Sequence, residues 1–234
     1  MTKTFERVLV VAAHPDDEVL GCGGTIARVR GRGAAVRVVF LAEGITARFD
    51  PAQFDTPDVQ SRMARRNANA KRALAILGVE ESEIFTQTRP CCRLDQVPMI
   101  DLVKQIETHI RDWRPTCLLT HSAHDPNVDH RLAFDAVLAA SRPSKDSALK
   151  AVLSFEVLSS TEWNPAHPFA PTYFVDITDT IERKIAAMAA YEDEMRQPPH
   201  PRSPEVIRAQ ARLRGAQAGA DYAEGFALLR LVDS

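Results

Sequence analysis

Short apolar runs alternate with longer amphipathic stretches along most of the chain. Runs at 7–13, 36–42, 84–86, 116–120, 151–158 and 173–176 have strand length and are rich in Val, Leu, Ile, Phe or Thr. Between the first five lie stretches at 18–30, 58–77, 99–112 and 128–140 with helical spacing, each ending near a glycine, proline or basic residue. Farther on, Ile181, Ile185, Met188 and Ala189 recur at helical intervals, which predicts a core-facing helix over 178–195. The proline-rich stretch 198–204 forces an irregular connection, after which Ser203 and Pro204 have the character of a cap and first turn.

Strands alternating with helices predict an α/β domain with a mostly parallel sheet, a Rossmann-like three-layer sandwich. No repeat or flexible linker divides residues 1–234, so a single domain is expected. Lys and Arg number 29 against 31 Asp and Glu, and 45% of residues are hydrophobic. That balance is ordinary for a globular protein and offers no electrostatic case for nucleic acid or an anionic membrane as partner. The opening apolar run, Val8 to Ala13, is too short for a membrane span and lacks a signal-peptide pattern, so a cytoplasmic protein is expected. A homo-oligomer is compatible with the sequence. Cys22, Cys91, Cys92 and Cys117 form neither a C-x-x-C pair nor a dense framework and are read as reduced. The adjacent Cys91 and Cys92 are read as small loop residues, since no redox motif accompanies them.

The chemistry concentrates in two places. His14-Pro15-Asp16-Asp17-Glu18 follows the first strand directly, at the carboxyl edge where open α/β sheets build their sites. His14 and Asp17 lie across a turn into a helix, and their imidazole and carboxylate suit zinc or a similar divalent ion. Asp16, between them, is placed to meet a water on that ion as general base. Alternatively, the three acids only complement a helix dipole. After the fourth strand, 121–131 holds His121, His124 and His130. A parallel sheet delivers both segments to one edge, so His130 is the natural third ligand, leaving a coordination place for water.

Ala13-His14-Pro15-Asp16-Asp17-Glu18, Gly21-x-Gly23-Gly24-Thr25 and Asn127-Val128-Asp129-His130-Arg131 resemble the PIG-L/LmbE-like family of zinc-dependent N-deacetylases, as does the order of elements. The resemblance implies one Zn2+ per chain, with Fe2+ or another divalent ion as substitutes, held by His14, Asp17 and His130, with Asp16 as base. It implies hydrolysis of the acetamide of an N-acetylated amino sugar or glycoconjugate. The better-known pattern places a histidine three residues before the metal histidine, to protonate the departing amine. Here that position is Asn127, so His121, His124 and His200 are the candidates, with Asp129 orienting whichever approaches and Asp16 able to return the proton itself.

The loop after the second strand carries Arg48, which resembles a family arginine suited to sugar hydroxyls, carboxylate or phosphate; a solvated side chain is the alternative. Asn127 and Arg202 are further candidate substrate contacts. His200-Pro201-Arg202-Ser203, Arg214-Gly215 and Tyr222-Ala223-Glu224-Gly225-Phe226 resemble a subgroup of the family, with functional and structural roles equally open. Trp163 could stack on a sugar ring, or simply pack. Two rivals remain. One is a metal-dependent hydrolase of another amide or ester. The other is a nucleotide-binding Rossmann protein, which the placement of Gly21, Gly23 and Gly24 after the acids, and Ile26 in the third glycine's place, counts against.

Overall fold

A computed structural model describes residues 3–233. Seven strands form one sheet in the order β3-β2-β1-β4-β5-β7-β6. They are β1 (Arg7–Ala12), β2 (Ala35–Phe40), β3 (Ile84–Phe85), β4 (Cys117–Thr120), β5 (Ala151–Phe155), β6 (Tyr173–Asp176) and β7 (Ala223–Leu231). The first five in that order run parallel, β7 pairs antiparallel with β5, and β6 with β7. The helices are α1 (Asp17–Gly31), α2 (Pro57–Leu77), α3 (Met99–Trp113), α4 (Val128–Ala140), α5 (Ile181–Ala189) and α6 (Pro204–Ala218).

The central strands are largely apolar because both faces are covered. Val8, Val10 and Ala12 of β1 point into one core with Leu74, Leu77 and Met188, while Leu9, Val11 and Ala13 point into a second with Leu102, Ile106 and Val137. Alternate residues thus serve opposite layers: α1, α2 and α5 pack on one side, α3 and α4 on the other. Strand order reverses between β1 and β4, whose pairing sets Val8 against Cys117 and Val10 against Leu119. That topological switch point is where an open sheet leaves a crevice beyond its carboxyl ends. No helix among the described residues is long and apolar enough to cross a membrane, and all four cysteines are free.

Two elements differ from the sequence pattern. The helix expected over 178–195 ends at Ala189, and the chain then turns, with Glu194 N–H donating to Tyr191 O. The turn lets Tyr191 and Glu194 face inward together, as described below. β7 is not foreseen by the hydrophobic pattern, because its second half is an exposed or half-exposed edge segment with no clean alternation.

Candidate metal centre and active site

β1 and β4 end side by side, and the loops that leave them build the site. His14 N–H donates to Asp17 Oδ2 (2.8 Å) and Asp17 N–H to His14 O (3.2 Å), a closed turn that opens α1. On the other loop Asn127 caps α4, its side-chain oxygen accepting from Asp129 N–H at 2.9 Å, which places His130 in the first turn. Asp17 Oδ2 lies 3.4 Å from His14 Nδ1 and 3.3 Å from His130 Nε2. Ligand atoms of His14, Asp17 and His130 all fall within 4.8 Å of one another, close enough to share one ion.

The donor set fits a zinc or ferrous ion: two imidazole nitrogens and one carboxylate oxygen, all buried. Each outward ring nitrogen lies beside a carboxylate, and that of His14 is hydrogen-bonded to it. His14 Nε2 lies 2.9 Å from Asp129 Oδ2, and His130 Nδ1 lies 3.2 Å from Asp125 Oδ1. Such outer carboxylates fix which nitrogen faces the metal. Asp129 is held by the N–H groups of Cys92 (2.6 Å) and Leu94 (3.0 Å), and Asp125 by the hydroxyls of Ser160 and Thr161. Cys91 and Cys92 also lie within ligand range of His14 and Asp129. There, however, both oxygens of Asp129 already accept hydrogen bonds, which makes it a support for His14 instead of a ligand.

Without metal, the acids control the imidazoles. Burial works against charge on His14, but its hydrogen bonds to Asp129 and Asp17 prevail and carry it up to about 10. His130 is raised to about 9, burial again being outweighed, here by Asp17 and Asp125. Burial opposes ionisation of Asp17, yet the surrounding histidines hold its carboxyl well below the usual range.

Asp16 is the N-cap of α1 with φ 115° and ψ −28°, a left-handed conformation rare for a side-chain-bearing residue. The conformation is secured by Glu18, whose Oε2 accepts Asp16 N–H at 2.9 Å while Oε1 accepts the Tyr191 hydroxyl at 2.6 Å. The buried Asp16 carboxylate has Arg202 Nη1 at 3.0 Å and Arg66 Nη2 at 3.5 Å. Burial raises its pKa, and the two guanidiniums pull the other way. Both arginines also contact the buried Glu194, Arg66 at 3.0 Å, and Arg48 joins it at 2.6 Å.

His14, Asp16, Asp17, His130, Arg48, Asn127 and Arg202 line one cavity of about 120 Å³. The candidates for protonating the leaving group lie elsewhere. His121 is fully buried beneath His130, ring centroids 4.0 Å apart. Its Nε2 accepts Ala13 N–H at 2.8 Å, and burial lowers its pKa to about 3, so it is a neutral acceptor that supports β1. His124 stacks on His167 at 4.5 Å on the exposed side of its loop. His200 Nδ1 accepts Arg202 N–H at 3.1 Å, and its pKa is lowered. None of the three lines the cavity. Asp129 orients His14 instead of one of these donors, and Trp163 lies 59% exposed outside the cavity.

Arg66, Glu194, Ser159 and Ser160 also belong to the site and were not anticipated. Arg66 had a signal: Val59, Met63, Arg66, Ala70 and Leu74 share the buried face of α2, and a charge on such a face needs a partner. Glu194 had none, because its role depends on where the chain turns after α5.

The glycine cluster serves packing. A Cβ at Gly21 would lie 2.3 Å from the Phe155 ring, and one at Gly24 would lie 2.7 Å from Ile177. α1 breaks its helical geometry at Cys22, and Glu224 accepts the freed N–H groups of Gly24 (2.9 Å) and Thr25 (2.7 Å), itself paired with buried Lys184 at 2.6 Å. A protein carboxylate therefore sits where a dinucleotide phosphate would be held. Glu43 is spent on the N–H groups of Ile45, Thr46 and Cys91. These occupancies leave no free phosphate-binding N–H groups at the glycine turn. They also give Glu224 a structural role, as the bidentate contact with Glu156 at 2.7 Å does for Arg214.

The chain is 29% identical to a diacetylchitobiose deacetylase of Thermococcus kodakarensis, over 94% of this chain and 82% of that one. It is 28% identical to a 1D-myo-inositol 2-acetamido-2-deoxy-alpha-D-glucopyranoside deacetylase of a Mycobacterium species, over 87% and 79%. The crystal structure of a conserved protein from Thermus thermophilus superposes with a TM-score of 0.73 and 27% identity, over 97% of this chain and 96% of that one. The model of the PIG-L family, GlcNAc-PI de-N-acetylase, matches residues 9–141, a span that contains both metal-site loops and more than half of the chain. This chain belongs to the GlcNAc-PI de-N-acetylase family.

Proposed function

We propose that this protein is a metal-dependent N-deacetylase that removes the acetyl group from an N-acetylated amino sugar or sugar conjugate. The observation that carries this is the grouping of His14 Nδ1, Asp17 Oδ2 and His130 Nε2 around one point, with the unligated Asp16 carboxylate lining the same cavity. The named activities of the two relatives above point to the same class of substrate.

His14, Asp17 and His130 would hold a divalent ion, zinc or ferrous iron, which would supply a Lewis acid for the amide carbonyl and lower the pKa of water from about 15.7 toward ~7. Asp16 takes the proton of the attacking water. The same carboxyl, favoured in its protonated form by burial, returns that proton to the departing nitrogen, since no histidine other than the two ligands lines the cavity. Arg202 and Arg66 fix the direction of Asp16 and oppose the rise that burial imposes on its pKa. Arg48 and Asn127 line the cavity and would meet sugar hydroxyls there.

The test is acetate release from N-acetylglucosamine and its conjugates by purified protein, before and after chelation, with metal content measured in parallel. Acetate release that chelation stops and zinc restores supports the reading. Turnover indifferent to chelation, with no metal bound, overturns it.

A further inference from the structure

Arg48 is a shared wall. On one side it lines the cavity of Asp16 and His130; on the other it lines a second cavity of about 210 Å³ with Phe49, Arg62, Arg65, Arg196 and Asp193. Four arginines line this second space against one aspartate. Arg48 is held by the buried Glu194 at 2.6 Å, but the pairings of the other three leave their charge available. Arg62 with Asp58 and Arg65 with Asp193 are surface pairs whose four side chains are 47–65% exposed, the kind that contributes little and is readily exchanged. Arg196 donates only to the backbone carbonyls of Asp193 and Met195. The Arg62 guanidinium lies 5.7 Å from the Phe49 ring, which holds it over an apolar floor completed by the buried Ile45.

Arg48 stands between this space and the reacting centre, where Arg66 and Arg202 are already met by Asp16 and Glu194. A neutral sugar gives Arg62, Arg65 and Arg196 nothing to neutralise. A group with several anionic oxygens does, because each guanidinium offers a planar fork of N–H donors matched to phosphate.

Resting on the deacetylase reading above, we propose that the Arg48–Arg62–Arg65–Arg196 cavity is a subsite for a phosphate or diphosphate attached to the substrate's amino sugar. The acetamide then enters the metal cavity while the phosphoryl group lies beyond Arg48. The substrate class is an N-acetylamino sugar phosphate, either free or as a nucleoside diphosphate sugar.

The experiment compares kcat/KM for N-acetylglucosamine, its 1-phosphate and its uridine diphosphate ester, in the wild type and in an Arg65→Gln/Arg196→Gln double variant. Both arginines are surface residues, so the variant should fold. The wild type should favour the phosphorylated substrates by tenfold or more, through KM, and the variant should reduce that preference at least fivefold. Higher efficiency for the 1-phosphate than for the diphosphate ester would identify the free sugar phosphate as the source; the reverse order would identify the nucleotide sugar. Equal efficiency for neutral and phosphorylated substrates, or a preference unchanged in the variant, overturns the subsite.

Calorimetric titration with uridine diphosphate decides the subsite even if no sugar is deacetylated. Binding that weakens at least fivefold in the double variant supports it while the deacetylase reading fails alone. Binding equal in the two proteins, as for a diphosphate held by the metal, overturns it.

Discussion

Arg202 Nη1 lies 3.0 Å from Oδ2 of Asp16 across 186 residues of chain, so the loop before α6 sets the electrostatics of the turn that opens α1. Burial raises the pKa of Asp16 and Arg202 lowers it. Removing the guanidinium in Arg202→Met should therefore move the acid limb of the kcat/KM profile to higher pH. Arg202→Lys should restore part of that displacement. A profile that falls in height without moving would mean that Arg202 touches substrate and leaves Asp16 unaffected.

Asp16→Asn should lose on the order of 10²–10⁴ in kcat, the range of a general acid or base, while metal content stays the same. Elemental analysis beside the rate measurement checks both halves. Loss of metal in this variant would exchange the roles of Asp16 and Asp17.

Asp129 touches His14 and no part of the cavity, so its effect should pass through the metal. Asp129→Asn should weaken metal affinity roughly 10–100-fold, the usual cost of losing an outer carboxylate. His130→Ala should weaken it more. Competition against a chromophoric chelator ranks the variants, and an Asp129→Asn affinity equal to wild type would contradict the role assigned to it.

In the metal-free protein His14 and His130 titrate at about 10 and about 9, above the ordinary 6.5. Raised values mean that the folded state binds these protons more tightly than the unfolded one. Their stabilisation is complete below about 6.5 and is lost as pH rises through 9 to 10. Metal requires both rings neutral, so uptake near pH 7.5 should release about two protons. Calorimetry in two buffers of different ionisation enthalpy counts them; release of none would show that the rings are already neutral.

Lys184 is buried and its Nζ donates to Glu224 Oε1 (2.6 Å) and Leu20 O (2.8 Å). Lys184→Met leaves Glu224 unpaired inside the protein, at a cost of about 3–5 kcal/mol. For a chain of this size that corresponds to a Tm lower by roughly 6–20 °C. Metal affinity should hold below the new transition. Thermal unfolding of the metal-loaded protein tests this, and an unchanged Tm would deny Glu224 its part in closing α1.

Much of this was legible in the sequence because two simple regularities governed it. Apolar runs marked β1 and β4, and a parallel sheet brings their exits to one edge, so His14, Asp17 and His130 could be assembled on paper. The rest depends on contacts that no local pattern encodes. Asp129 supports His14 because the backbone at Cys92 and Leu94 crosses behind it. His121 has the spacing of a catalytic residue but lies beneath His130 as an acceptor for Ala13 N–H. Tyr191 and Glu194 fall within the expected helix, yet they reach Glu18 and Arg66 only because that helix stops at Ala189.

Anomalous diffraction at the zinc edge, from crystals grown without chelator, addresses the site itself. The map should show one peak about 2.0–2.2 Å from His14 Nδ1, Asp17 Oδ2 and His130 Nε2, with Asp16 beside it and unbonded. A peak displaced onto Cys91, Cys92 and Asp129, or no peak near Asp17 in zinc-soaked crystals, would contradict the assignment.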